Sequence, residues 1–351
     1  MLNAFLTACM ASIQSEQQTK TMKTKITILA TTSILLIAIN ATKAQNTIPP
    51  QTATSNSQAD VAGGEAPKDP VAAVAWYRKA AEQGQATAQY QLAMAYATGE
   101  GVTQSISEAA KWVKKAADQG HPDAQCVVGM MYANGEWGVA KDPAEAVKWY
   151  RKSSEQGNAK AQNCLGEMYG FGDGVTVDNA EALKWYRKSA DQGFANAQNN
   201  IGAMYANGIE LPKDTVEAVK WYRKAADQGY ALGQANLGAM YQNGEGVAKD
   251  IAEALKWYRK AADQENPLAA YNLGVLYVGG EGVKQDAVEA VKWFRKAAEQ
   301  EFAAAQYNLG YMYEEGQGVA KDSSEAVKWY KKAAEQGMEE AKAKLKSLGV
   351  N

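Results

Sequence analysis

Histidine is almost missing from this chain. His121 is the one imidazole in 351 residues, which leaves little room for a His-built metal centre or a nucleophile–His–carboxylate triad. A surplus of either charge is missing too. Lys and Arg number 37 against 39 Asp and Glu, so no basic surface is on offer for phosphate, and nucleic acid is not an expected partner. Cysteine is scarce, with Cys9, Cys126 and Cys164 the full set. Long apolar runs are also lacking. The longest, Ile26 to Ile39, is fourteen mostly apolar residues, short of the roughly 20 that a membrane-spanning helix requires.

That short run has its own meaning. Lys23 and Lys25 precede it and Ala44 follows as a small residue, in "MKTKITILATTSILLIAINATKAQN" from Met22. A basic start, an apolar stretch and a small-residue end are the layout of a secretory signal peptide. The expectation is an upstream mis-start over 1–21, a signal peptide over 22–44, and an exported chain in the periplasm or secreted, with a bacterial envelope as its setting. Residues 45–66 turn to Thr, Ser, Gln, Pro and Gly. Such a composition buries too little to offset its ordering entropy, so a flexible linker is expected there.

What the chain has in abundance is itself. "EALKWYRKSADQ" at 181–192 returns as "EALKWYRKAADQ" at 253–264, and Trp76, Trp112, Trp149, Trp185, Trp221, Trp257, Trp293 and Trp329 are spaced by 36, 37 and then 36 residues five times. A second marker keeps step: Ala93, then Gly129, Gly166, Gly202, Gly238, Gly274 and Gly310, each followed three residues later by Tyr. In one unit Leu237, Met240 and Tyr241 share a face of a first helix. Gly244 and Gly246 break it. Asp250 and Glu253 then have the spacing of a capping box, and Ala254, Trp257, Tyr258 and Ala261 line the buried face of a second helix, with Lys256, Arg259 and Lys260 opposite. Gly84, Gly120, Gly157, Gly193, Gly229 and Gly337 stand where a left-handed residue closes that helix. Glu265 and Glu301 break this rule and predict a cost if the backbone stays left-handed there. One such hairpin cannot bury its own apolar face, so neighbours must stack upon it. Seven full hairpins are expected, preceded by a lone second helix near 69–83 and closed by a charge-rich helix near 339–348.

The pattern L-G-x-x-Y followed by A-x-x-x-Y-x-x-A resembles the tetratricopeptide repeat. With the G-x-G-V loop, the K-D-x-x-E-A start and the "WYRKAA" core, the chain is similar to the Sel-1-like repeat family across roughly 67–348. The resemblance implies an all-α, right-handed α-solenoid over 67–350, acting as an adaptor or scaffold for a protein or peptide, without cofactor or metal. Some cysteine-rich relatives are β-lactamase-like and carry a cysteine pair in each repeat. Here Cys126 and Cys164 stand one to a unit, which speaks against that enzymatic alternative. A structural element associated with peptidoglycan is the other alternative.

Candidate partner-binding residues follow from position. Two residues before successive markers stand Asn200, Asn236, Asn272 and Asn308, with Gln91 in the same column. If first helices line the concave face, as in tetratricopeptide-like solenoids, these amides could pair with an extended peptide backbone, since each carries donors and an acceptor. The alternative is that they bridge adjacent helices. Tyr271, Tyr307 and Tyr311 would supply apolar contacts beside them. Trp137, inserted in the loop "NGEWGVAK", and Phe171 in the next turn could form an aromatic patch at the edge, or fold back over the loops. Helix axes roughly 8–10 Å apart make two separate thiols the expectation for Cys126 and Cys164, rather than a disulfide. His121 is expected to be a junction residue.

Overall fold

A computed structural model describes residues 66–350. The expected mis-start and signal peptide, and the linker up to residue 65, lie outside the described residues. Those described fall into two compact units that meet in sequence between Asp214 and Thr215. The first holds α1 (Pro70–Glu82), α2 (Ala86–Thr98), α3 (Ile106–Asp118), α4 (Pro122–Asn134), α5 (Pro143–Glu155), α6 (Ala159–Phe171), α7 (Asn179–Asp191) and α8 (Ala195–Asn207). The second holds α9 (Thr215–Asp227), α10 (Ala231–Asn243), α11 (Ile251–Asp263), α12 (Pro267–Gly279), α13 (Ala287–Glu299), α14 (Ala303–Glu315), α15 (Ser323–Glu335) and α16 (Glu339–Ser347). No strand occurs among the described residues.

Within each unit first and second helices alternate and pack pairwise as hairpins, α2 on α3, α4 on α5 and α6 on α7 in one, α10 on α11, α12 on α13 and α14 on α15 in the other. Each hairpin also rests on the next within its unit, the arrangement of a repeat solenoid. In the second unit the result is one continuous apolar interior, from Leu232 through Tyr258, Tyr271 and Phe294 to Leu345.

The second helices start as the Asp column predicts, with one correction. Asp142, Asp178, Asp250, Asp286 and Asp322 accept from the backbone N–H three residues on, at 2.9–3.0 Å. The Glu at that position does not reach back to complete a capping box. Its carboxylate instead meets the Lys one turn ahead at 2.7–3.0 Å, as in Glu145–Lys148 and Glu253–Lys256. The physical reason is that the N-cap N–H is already taken. It donates to the carbonyl of the first-helix Tyr, for example Asp142 to Tyr132 at 2.8 Å and Asp250 to Tyr241 at 2.9 Å, and thereby closes the hairpin.

The marker glycine is needed for a close approach. A Cβ built on Gly129, Gly166, Gly238, Gly274 or Gly310 would stand 2.5–2.9 Å from ring carbons of Tyr150, Tyr186, Tyr258, Phe294 or Tyr330, the aromatic residue that follows the repeat tryptophan. The ring lies flat on the first helix where any side chain would stand. The first hairpin supplies the converse: its marker is Ala93, and the aromatic position holds Val113, both fully buried in one cluster. The smaller partner makes room for the methyl.

The left-handed closing residues are present where expected, and Glu265 and Glu301 keep that backbone, with φ of 63° and 61°. Replacing each with Gly is expected to raise unfolding free energy by about 0.5–1 kcal/mol, the relief of a left-handed Cβ less the entropy Gly adds to the unfolded chain. Urea titration of the two single variants and the double checks this. Gly238→Ala is expected to cost about 1–3 kcal/mol by overpacking against Tyr258. Adding Tyr258→Val, which reproduces the Ala93–Val113 pair, recovers part of that loss in a double-mutant cycle.

Candidate interaction surface and the contacts beneath it

Most of the polar side chains that recur are used between helices. Gln125, Gln162, Gln234 and Gln306, near the start of their first helices, donate at 3.1–3.3 Å to a carbonyl in the last turn of the preceding second helix. Each also accepts, at 2.8–2.9 Å, from the Gln that ends its own hairpin: Gln156, Gln192, Gln264 and Gln336 respectively. Position 270 in this column is Ala. The carbonyl it leaves, that of Ala262, is met instead by the Lys296 ammonium at 2.5 Å. Lys296 accordingly sits 5.6 Å from the Trp293 ring. The equivalent Lys152, Lys188, Lys224 and Lys260 stand 4.0–4.4 Å over Trp149, Trp185, Trp221 and Trp257.

The basic face of the second helix is therefore only partly solvated. Besides these cation–π contacts, Arg151 donates to the Tyr169 hydroxyl at 2.6 Å and Arg295 to that of Tyr313 at 2.8 Å. Arg78 with Tyr96 and Arg223 with Tyr241 repeat the bond. In each case the Arg belongs to one hairpin and the Tyr to the next. A one-dimensional reading of charge could not show this. The signal was present as the constant spacing of 18 residues between Arg and Tyr.

The amide column is corrected by burial. Asn236, Asn272 and Asn308 are interior, with Asn308 only 1% exposed, and Tyr271 is fully buried between Phe294 and Phe302. Asn272 lies against the Tyr258 hydroxyl and Asn308 against that of Tyr271, although neither amide nitrogen has a well-aligned partner. These side chains sit between helices, Asn272 against the preceding second helix and Asn308 against the preceding first helix, so burial removes them from a ladder for an extended peptide. Asn200 is half-buried and bound: it donates to the Asn163 carbonyl oxygen at 3.1 Å and to the Glu167 carboxylate at 3.4 Å.

Tyr307 and Tyr311 remain half-exposed, one turn apart on α14. Burial, followed by the charge of nearby Glu314 or Glu315, raises both phenols above their ordinary range. Tyr307 tilts against Tyr330 with ring centres 5.3 Å apart. Trp137 is half-buried and packs onto two apolar clusters of the first unit, those holding Leu92 and Val113. Its backbone is left-handed, φ 54°, in the loop where neighbouring repeats place Gly. Trp137 thus folds back over its hairpins, while Phe171, also half-buried, borders a separate cavity.

Cys126 and Cys164 are free and buried in one cluster. Burial pushes the Cys126 thiol up to about 12 and Cys164 well above its usual value, so neither is a thiolate near neutral pH. His121 caps α4, its Nδ1 accepting from the Ala124 N–H at 3.3 Å, and its ring stacks on Tyr90 with centres 4.8 Å apart. Among the described residues no group of three or more His, Cys, Asp or Glu is arranged to hold a metal ion, and no helix is long and apolar enough to cross a membrane.

Helical hairpins of one design, pinned to their neighbours within each unit by repeated side chains, define an α-solenoid repeat protein. The Sel1 repeat matches at 62–85, 86–121, 122–158, 159–194, 195–230, 231–266, 267–302 and 303–338, and the chain belongs to this family. Among solved structures it is similar to a Sel1 repeat protein from Oxalobacter formigenes, at 32% identity and a TM-score of 0.60, over 93% of this chain and 89% of that one. It is also similar to a protective antigen of uropathogenic Escherichia coli strains, at 40% identity and a TM-score of 0.59, over 83% of this chain. The chain spans 62% of the length of that antigen. No curated protein matches.

Burial lowers the His121 pKa below its ordinary 6.5. The neutral ring is the folded form, so stability is full above about 6.5 and falls as pH drops through the lower folded value. His121→Asn installs the cap that Asn158 and Asn266 supply in other repeats. Urea midpoints between about pH 7 and 5 should fall less steeply for this variant than for the parent chain.

Proposed function

We propose that the chain is an exported scaffold that binds another protein through a first-helix face, with α14 as the principal contact. The observation that carries this reading is a division of labour among side chains. Repeated Gln, Arg, Lys and Trp residues serve the stacking, whereas Tyr307 and Tyr311 are half-exposed side chains on one face of a first helix. Phenol rings at such positions bury large area at low entropic cost and keep a polar handle, which suits them to interfaces. An antigen among the relatives supports export, as does the basic and apolar leader beginning at Met22. A photoreactive residue at 307 or 311 is expected to give one discrete adduct with a native-cell envelope protein. The same residue at Lys328, exposed on the second helix, should not. Equal yields, or no discrete adduct at 307 and 311, would falsify the assignment of this face.

A further inference from the structure

The residue after each marker is Met94, Met130, Glu167, Ala203, Ala239, Val275 or Tyr311. The other repeats stack without a carboxylate there, and Glu167 is only 7% exposed. Its Oε1 accepts from the Asn163 amide at 3.0 Å and from Asn200 at 3.4 Å, and Asn163 itself is fully buried. An interior carboxylate is costly without such donors. Glu167 lines a cavity of about 250 Å³ walled by Tyr150, Cys164 and Phe171, with Asp173 and the exposed Lys141 also on its border. Two carboxylates against one ammonium leave the lining with one negative charge in excess.

The volume is below the roughly 300–1,000 Å³ of pockets for drug-sized ligands, and suits a group the size of one side chain. Aromatic walls beside a carboxylate favour a particular cation. A guanidinium is planar, weakly hydrated, stacks on rings and forks onto carboxylates, whereas an ammonium holds its water tightly. We propose that the cavity bounded by Tyr150, Glu167 and Phe171 is a binding site for a guanidinium group. The group could come from an arginine side chain of a bound protein or from a free alkylguanidine. The site does not depend on the Tyr307–Tyr311 surface, which lies in the other unit.

Calorimetric titration of the full chain with N-acetyl-arginine amide and with agmatine tests this directly. Saturable one-to-one binding is expected, and the uncharged N-acetyl-citrulline amide should bind at least about tenfold more weakly, as hydrogen bonds to a charged group require. Glu167→Gln, and Glu167→Ala with the residue found at 203 and 239, should lower guanidinium affinity by a similar factor. The citrulline comparison needs no variant and stands even if these substitutions impair folding. Tighter binding of the blocked arginine identifies a peptide source, and tighter binding of agmatine a free one. Absence of saturable binding by either, equal binding of citrulline, or undiminished affinity in folded Glu167→Gln overturns the proposal.

Discussion

The structure depends on an aromatic ring lying flat against bare backbone. The rings of Tyr150, Tyr186, Tyr258, Phe294 and Tyr330 occupy space that a single methyl on the facing glycine would claim. That contact sets how closely the two helices of a hairpin approach, and so fixes the depth at which the flanking Leu, Met and Ala side chains interlock. The first hairpin reaches the same end with alanine facing valine. Neither residue type is required in itself, because the smaller Val113 leaves room for the Ala93 methyl.

Much of this was legible in the letters. Period, helix faces, caps and closing glycines follow from local rules that a 36-residue repeat states several times over, and Glu265 and Glu301 stood out because their siblings are glycine. The site was far less legible. Asn236, Asn272 and Asn308 share a column with the half-exposed Asn200, but which side of a first helix faces the preceding hairpin is a tertiary fact that periodicity leaves open. The same blindness hid the Arg-to-Tyr bonds, which join different hairpins, and the packing of Lys side chains over tryptophan rings. For Trp137, an insertion, the letters left an edge patch and a fold back over the loops both open. Its left-handed backbone turns the ring inward, and no local propensity announces that for a tryptophan.

Glu167 illustrates a different limit. Its oddity was visible as the lone acid in a column of Met, Ala, Val and Tyr. Its burial and its two amide donors come from residues 163 and 200, one on the same helix and one a repeat away. Only folding assembles the group, so sequence could flag the position but not its surroundings.

The glutamine links carry a consequence for how such a chain changes over generations. They run to main-chain carbonyls and to other glutamines, so one hairpin accepts nearly any sibling as its neighbour. Residues as alike as 181–192 and 253–264 invite unequal crossing-over wherever their codons are alike too. The result would be a longer or shorter chain whose new junction is already compatible. The exception is the Ala270–Lys296 hairpin, where a lysine has taken over the missing amide's bond to Ala262. There the substitution and its remedy lie within one unit, so a crossover that separated them would leave a carbonyl unmet.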